Sequence, residues 1–447
     1  MNKRTILASL IIILLVPACS ALPDWFGGND KKKLPGERHS VLSEERAIQQ
    51  DAGANDLEIT LPAPTSLAEW PIISLDGEKQ GDVEGFDRYK LRTKTSIGHS
   101  PSRGYPLQTT PIIADGKIFS LSSGGFVSAH ALDHPEKELW SKYFLPNKEH
   151  GIYSGGGVTF NKGQLFLTTG TGEIFALDAL DGKILWQKSV LSPFRAAPTV
   201  NDKYVFVVSS DNKSFALQRS TGSIVWSHSG LEELLGVSGS ASIVLDEDRE
   251  LAFVPYSSGE IFALRLSNGV EVWSDTVTGT SSQLTKVQQV VDIPVSPIVK
   301  DNFLFTISHG GLITAHDTSS GARIWEKELS SNQMAWVAND FIYVIDMNNN
   351  LMAIHTGTGF IKWVKPLPKY ANPKKQKDLI YWSNPLLINH QLVLISSQGK
   401  IMYLTPKDGT IVDVDNVPSG IQGSAIVVNK QIYYITNSAQ LIVLGSK

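Results

Sequence analysis

Residues 165–186 read LFLTTGTGEIFALDALDGKILW, and this stretch decides the fold. A run of β-formers (Leu165–Thr169) meets a Gly-rich turn at Thr169-Gly170-Thr171-Gly172. The next strand alternates with period two: Ile174 and Ala176 face one way, Phe175 and Leu177 the other. A turn from Asp178 to Gly182 then leads into a strand that closes on Trp186.

The unit recurs. Strands ending in tryptophan close at Trp140, Trp186, Trp226, Trp273, Trp325 and Trp363, at spacings of 46, 40, 47, 52 and 38 residues. Five of the six have a glycine four residues earlier: Gly182, Gly222, Gly269, Gly321 and Gly359. A seventh copy keeps Gly409 but has Asp413 in the tryptophan place, and an eighth (QIYYITNSAQLIVLG) runs out of chain before its outer strand. Each copy opens on a short strand, often led by proline (Pro111, Pro198, Pro297, Pro385), a residue tolerated at a strand's start and not in its middle. Alanine recurs in the third strand (Ala129, Ala216, Ala263, Ala315, Ala353), which suggests a face approached closely by another element.

Short strands, hairpin turns and no helix-period segment in the repeats make the chain all-β. Four-stranded units at this spacing close radially into a propeller. The predicted architecture is an eight-bladed β-propeller of antiparallel blades over residues 67–447. An N-terminal strand closes the ring, with Ala68-Glu69-Trp70-Pro71-Ile72 as the candidate. The repeated tryptophans read as packing groups: a large indole on the outer strand covers its neighbour, and its N–H is free to find a backbone carbonyl.

Residues 1–19 have the form of an export signal, with Lys3 and Arg4 before an apolar run from Ile6 to Val16. The run ends at Cys19, the only cysteine in the chain. This resembles a bacterial lipoprotein signal, which implies a lipid on Cys19; the alternative is an ordinary signal whose cysteine is discarded. Ser20 follows, not aspartate, which in sorted lipoproteins implies the outer membrane, periplasm-facing. Residues 20–66 mix charges with small side chains and read as a flexible tether. A net charge of −4 argues against nucleic acid as a partner.

Chemistry is sparse. The ten histidines do not cluster, and His130 and His316 fall where Leu177 stands in its own copy, so they read as strand residues between sheets. There is no His-Glu-x-x-His, no Gly-x-Ser-x-Gly and no phosphate-binding glycine loop. One cysteine excludes a thiolate metal site. Asp178 and Asp317 open repeated turns, where an aspartate bonds its own backbone. No catalytic, metal or cofactor residue is nominated.

The unit from Ile174 to Trp186 is similar to the repeat of pyrroloquinoline-quinone (PQQ) enzymes, a packing motif that does not by itself imply the cofactor. The whole chain, from Cys19 through the tether to the propeller, resembles the BamB family of outer-membrane protein assembly lipoproteins. The phrase Leu34-Pro35-Gly36-Glu37-Arg38 with Ser40-Val41-Leu42 is similar to the α-proteobacterial version. That resemblance implies a non-enzymatic scaffold of the BAM complex. Its partner would be BamA, bound at the POTRA domains through interblade loops, and unfolded outer-membrane proteins are a further candidate. Here the long interblade connections are near residues 145–156, 230–239, 275–295 and 366–383, all on one face of a propeller. Carried onto matching positions, the family's contacts fall on Leu234, Leu235 and Asp292, while Gly236 and Pro294 depart from the pattern. The alternatives are that the two leucines pin the loop to its own blade and that Asp292 is a solvated carboxylate. Two other functions stay open: a periplasmic PQQ-dependent quinoprotein oxidoreductase, and an extracytoplasmic polysaccharide binder.

Overall fold

The computed structural model describes residues 48–72, 77–97, 110–122, 125–144, 155–232, 241–277, 292–436 and 438–447. The described strands form eight four-stranded antiparallel sheets, arranged as an eight-bladed propeller, and one two-stranded hairpin. Blade 1 is typical: Ile112–Ala114, Lys117–Ser122, Phe126–Ala131 and Glu138–Tyr143 pair in sequence order. Blades 2 to 7 follow at 156–189, 199–229, 244–276, 298–328, 336–366 and 386–416. The outermost strand of blade 1 is its least buried: Ile112–Ala114 is fully buried, whereas in Glu138–Tyr143 Trp140 is the one buried residue.

The repeat's three signature residues lock together across blades. Each alanine lies directly opposite the tryptophan of its own blade: Ala129 faces Trp140, Ala176 faces Trp186, and so on to Ala353 and Trp363. The small side chain therefore makes room for the indole beside it. Each indole N–H donates to a carbonyl of the next blade, as Trp140 to Ala179 (3.2 Å), Trp186 to Arg219 (2.8 Å), Trp273 to Thr318 (2.9 Å) and Trp363 to Pro406 (2.9 Å). The ring of the indole lies on the next blade's glycine. A Cβ on Gly321, whose φ is +72°, would stand 2.5 Å from Trp273, and one on Gly182 2.8 Å from Trp140. Glycine is thus required both by the left-handed turn and by the indole above it.

Blade 8 departs from the pattern. Its strands Ile426–Val428, Gln431–Ile435 and Gln440–Ser446 take their fourth member from Tyr89–Ser96. The ring is closed by an N-terminal strand, as predicted, but by this one and not by Ala68–Ile72. Trp70 instead bridges Ile113 of blade 1 and stacks on Trp336 of blade 6, with ring centroids 6.1 Å apart.

The domain boundary also moves. Residues 49–447 form one compact unit, so the later part of the expected tether is docked. Leu57, Ile59 and Leu61 present a period-two apolar face to the main core, and composition alone hides this behind the charges around them. Asp51 caps the outer strand of blade 6, accepting from the Ile361 amide at 2.8 Å and pairing with Lys327 at 2.9 Å. The signal, Cys19 and residues 20–47 lie outside the described residues.

From there the chain crosses the face that carries the turns between first and second strands. Those two-residue turns hold left-handed residues such as Asp115, Asp301, Asn389 and Asn429. Their outward amides need acceptors, and the crossing segment supplies them. Asn429 donates to the Leu67 carbonyl (2.8 Å), Asp115 to Glu69 (2.8 Å), Asp301 to Glu78 (2.8 Å) and His390 to Asp82 (2.8 Å). This strap ties blades 8, 1, 5 and 7, and a bond from the Trp336 indole to the Gly81 carbonyl (2.7 Å) adds blade 6.

Candidate partner-binding face

The opposite face carries the interblade loops and the turns between second and third strands. Two of its described loops are pinned by hydrogen bonds. After blade 2, Ser210 donates to the Pro193 carbonyl through both its amide and its hydroxyl, each at 2.8 Å. After blade 3, the Asn212 amide group donates to the Leu231 carbonyl (2.7 Å), and Leu231 N–H donates to Glu260 (2.8 Å). One turn of blade 3, Ser210–Asn212, thereby holds both loops. Leu191 (108% exposed) and Leu231 (66%) project from them into solvent.

The predicted contact residues are placed unequally. Leu234 and Leu235 lie outside the described residues. Asp292 is described, and it is neither exposed nor solvated: it is 1% exposed and pairs with Arg195 at 3.0 Å. Arg195 enters from the loop after blade 2 and Asp292 from the loop after blade 4, so the pair spans two loops near the inner strands. The carboxylate is buried, while the Arg195 side chain keeps a quarter of its surface exposed. Any contact made through this pair is therefore made by Arg195, with Asp292 holding it in place. Removing the cation over a buried carboxylate costs on the order of 3–5 kcal/mol.

Sequence reading missed Arg195, Leu191 and Leu231. A signal for the leucines exists in the repeat register: each stands five residues after its blade's tryptophan, the offset that Leu145 also occupies after Trp140. Leu145 itself lies outside the described residues. Arg195 carries no such signal, because its partner is 97 residues away.

Two polar clusters between blades could be taken for catalytic sets. Between blades 4 and 5, His316 lies 2.6 Å from Asp275, which also accepts two bonds from Arg323. Burial pushes the imidazole below its ordinary value, despite the neighbouring carboxylate. Burial tends to raise Asp275, but the bonds from His316 and Arg323 outweigh it and hold the carboxyl low. His316 is fully buried against Trp273, so this set seals two blades. Between blades 3 and 4, the Tyr256 hydroxyl lies 2.9 Å from both Ser214 and His228. Ser214 is fully buried, out of reach of a substrate. Asp178 and Asp317 bond their own turns, through the amides of Leu180 and Ser320 at 2.8 Å. Among the described residues, no group of three or more His, Cys, Asp or Glu side chains is placed to hold a metal ion.

A family model described as outer membrane protein assembly factor BamB matches residues 123–365. The BamB of Escherichia coli is 30% identical over 346 residues, spanning 76% of this chain and 84% of that one. Among solved structures, BamB from Moraxella catarrhalis superposes with a TM-score of 0.65 at 21% identity, over 80% of this chain and 100% of that one. The quinohemoprotein alcohol dehydrogenase of Comamonas testosteroni gives a TM-score of 0.63 at 12% identity, over 85% and 81%, a likeness of fold alone. By the length of the family match and the identity to its members, the chain belongs to the outer membrane protein assembly factor BamB family.

Proposed function

We propose that the chain is a non-enzymatic scaffold lipoprotein of the outer-membrane β-barrel assembly complex. It binds the POTRA domains of BamA through its interblade-loop face, and a lipid on Cys19 holds it at the outer membrane, facing the periplasm. The observation that carries this reading is the asymmetry of the two faces. The chain's own strap occupies one, and the other presents rigidly held, solvent-facing Leu191 and Leu231 beside the Arg195–Asp292 pair. Apolar anchors rimmed by charge suit a protein interface, and elaborated loops on a rigid scaffold are where binding is usually placed. Leu234 and Leu235 follow Leu231 in the sequence and belong to the proposed contact.

The test is capture of purified BamA POTRA domains by the full chain and by a Leu191→Ser/Leu231→Ser/Leu234→Ala variant. Leu191 and Leu231 lie exposed in loops, so the fold is expected to hold when they are replaced. Affinity should fall at least about tenfold, the effect of losing one or two buried anchors. Undiminished capture would place the interface elsewhere. Titration with PQQ and Ca²⁺ tests the oxidoreductase alternative, and saturable binding would favour it.

A further inference from the structure

The connection between blades 6 and 7 differs from every other described interblade loop in having secondary structure of its own. Tyr370–Asn372 and Lys377–Leu379 form a small antiparallel hairpin, with Tyr370 opposite Leu379 and Asn372 opposite Lys377. Its tip, Pro373-Lys374-Lys375-Gln376, is turned by the Asn372 side chain, which accepts from the Lys375 amide at 3.2 Å. The stem is bolted down on three sides. Asn349 of blade 6 donates to the Ile380 carbonyl (2.9 Å), and Ser397 of blade 7 exchanges bonds with both ends of the Tyr381 backbone (3.0 and 2.7 Å). Gln333, from the loop before blade 6, donates to the Trp382 carbonyl at 2.7 Å.

The finger is rich in lysine: between residues 370 and 379, Lys374, Lys375 and Lys377 stand against a single carboxylate, the exposed Asp378. A chain with net charge −4 places six lysines and no acid between residues 362 and 377. Lys374, Lys375 and Lys377 are exposed, and none pairs with a carboxylate among the described residues. The like charges at the tip of this hairpin repel one another, and the single carboxylate of the hairpin, Asp378, offsets only part of that cost. A complementary surface would offset the rest.

We infer that this hairpin is a docking finger for an acidic protein surface. The order of residues favours protein over lipid. Lysines form the tip, while the exposed apolar groups, Leu379 (47%) and Tyr381 (62%), sit back on the stem. A membrane-seeking loop has the reverse order, with apolar groups leading and lysines trailing toward the headgroups. The finger rises from an interblade connection, so it stands on the face proposed for BamA, and it rests on that reading for the choice of probe. It supplies a second, electrostatic contact that sets approach rate and orientation.

The experiment compares the wild-type full chain with the Lys374→Glu/Lys375→Glu/Lys377→Glu variant and the corresponding triple Lys→Arg variant. Association with purified POTRA domains is followed over a series of salt concentrations. The finger predicts an association rate about tenfold lower for the glutamate variant at low salt, a flattened salt dependence, and wild-type behaviour for the arginine variant. Unchanged rates for the glutamate variant, with the leucine variant still weakened, would overturn the finger and leave the partner face standing. If the wild-type chain does not bind POTRA domains, the parent reading fails. The finger is then tested by a photo-crosslinker at Gln376 in intact cells. Adducts to an acidic segment of another protein support it, and adducts to lipid alone or none overturn it. Flotation with phosphatidylglycerol vesicles completes the test, since binding lost only in the glutamate variant would assign the finger to the membrane and overturn a protein partner.

Discussion

The ring is sealed in two different ways. From blade 1 to blade 7, six junctions use the same device, an indole from one blade lying on the glycine of the next and bonded to its carbonyl. From blade 7 through blade 8 to blade 1, that device is absent. Blade 7 exchanges the sizes of the facing pair: Tyr403 stands in the alanine place and Asp413 in the tryptophan place. Arg88 then fills the junction, bonding Asp413 at 2.9 Å and covering the Tyr403 ring at 4.6 Å, while the Tyr89 amide donates to the Tyr403 hydroxyl. Both groups come from the segment that closes the ring. Repetition seals the arc from within each unit; closure needs chain from outside the repeat.

Four perturbations would break or sharpen this contrast. The largest effect is expected from a chain beginning at residue 98, which lacks strap and closing strand together. It leaves a three-stranded blade 8 and strips the cover from Val443 and Ile388, so circular dichroism should show no single cooperative melt. A sharp transition near the full-length midpoint would show that the arc is self-sufficient.

Within the arc, Trp273→Ala should cost about 3–5 kcal/mol in denaturant unfolding. Gly321→Ala should cost more than the ~1–2 kcal/mol of its left-handed backbone alone, because its new methyl meets the indole. In the Trp273→Ala background only the backbone part should remain. Strict additivity of the two would disconnect glycine from tryptophan.

Acid should weaken the arc next. Burial holds His130, His228 and His316 below their ordinary value. The unfolded chain therefore binds protons first as pH falls. Their contribution is complete above about pH 6.5, the unfolded value, and is lost as pH drops toward the lower folded values. The midpoint of thermal unfolding should fall between pH 7.5 and pH 5, and a His228→Gln variant should fall less steeply. An equal slope for that variant would remove His228 from the account.

The smallest effect belongs to the seam's ion pair. Arg88 and Asp413 are 28% and 46% exposed, so Asp413→Asn should cost less than about 1 kcal/mol. A larger loss would mean that the pair, and not the closing strand, carries the seam.

The same contrast explains what sequence could reveal. The arc is legible because Ala, Gly and Trp stand at fixed offsets and interact with the unit beside them, so the six copies that close on tryptophan announce one geometry. The strap was not. Leu57, Ile59 and Leu61 alternate for too few residues to stand out, and Glu69, Glu78 and Asp82 read as solvated charges although each accepts a turn amide. The closing strand Tyr89–Ser96 was hidden by its lysines and arginine, which an exposed edge strand favours and a core strand avoids. The strand expected to close the ring, Ala68–Ile72, instead places Trp70 against Trp336 and pairs with no strand of blade 8. Asp292 misled for a related reason: a loop position suggests exposure, and only the fold brings Arg195 over it.

On the proposed reading, the irregular loop face, and not the repeat, carries function through a protein partner. The most direct test of that reading is purification of the full chain from native outer membrane, solubilised gently, with co-purifying proteins identified and quantified. The account predicts barrel-assembly components at comparable molar amounts, lost on Leu191→Ser/Leu231→Ser substitution. Recovery of the protein without them, or their undiminished recovery with the substituted chain, would contradict it.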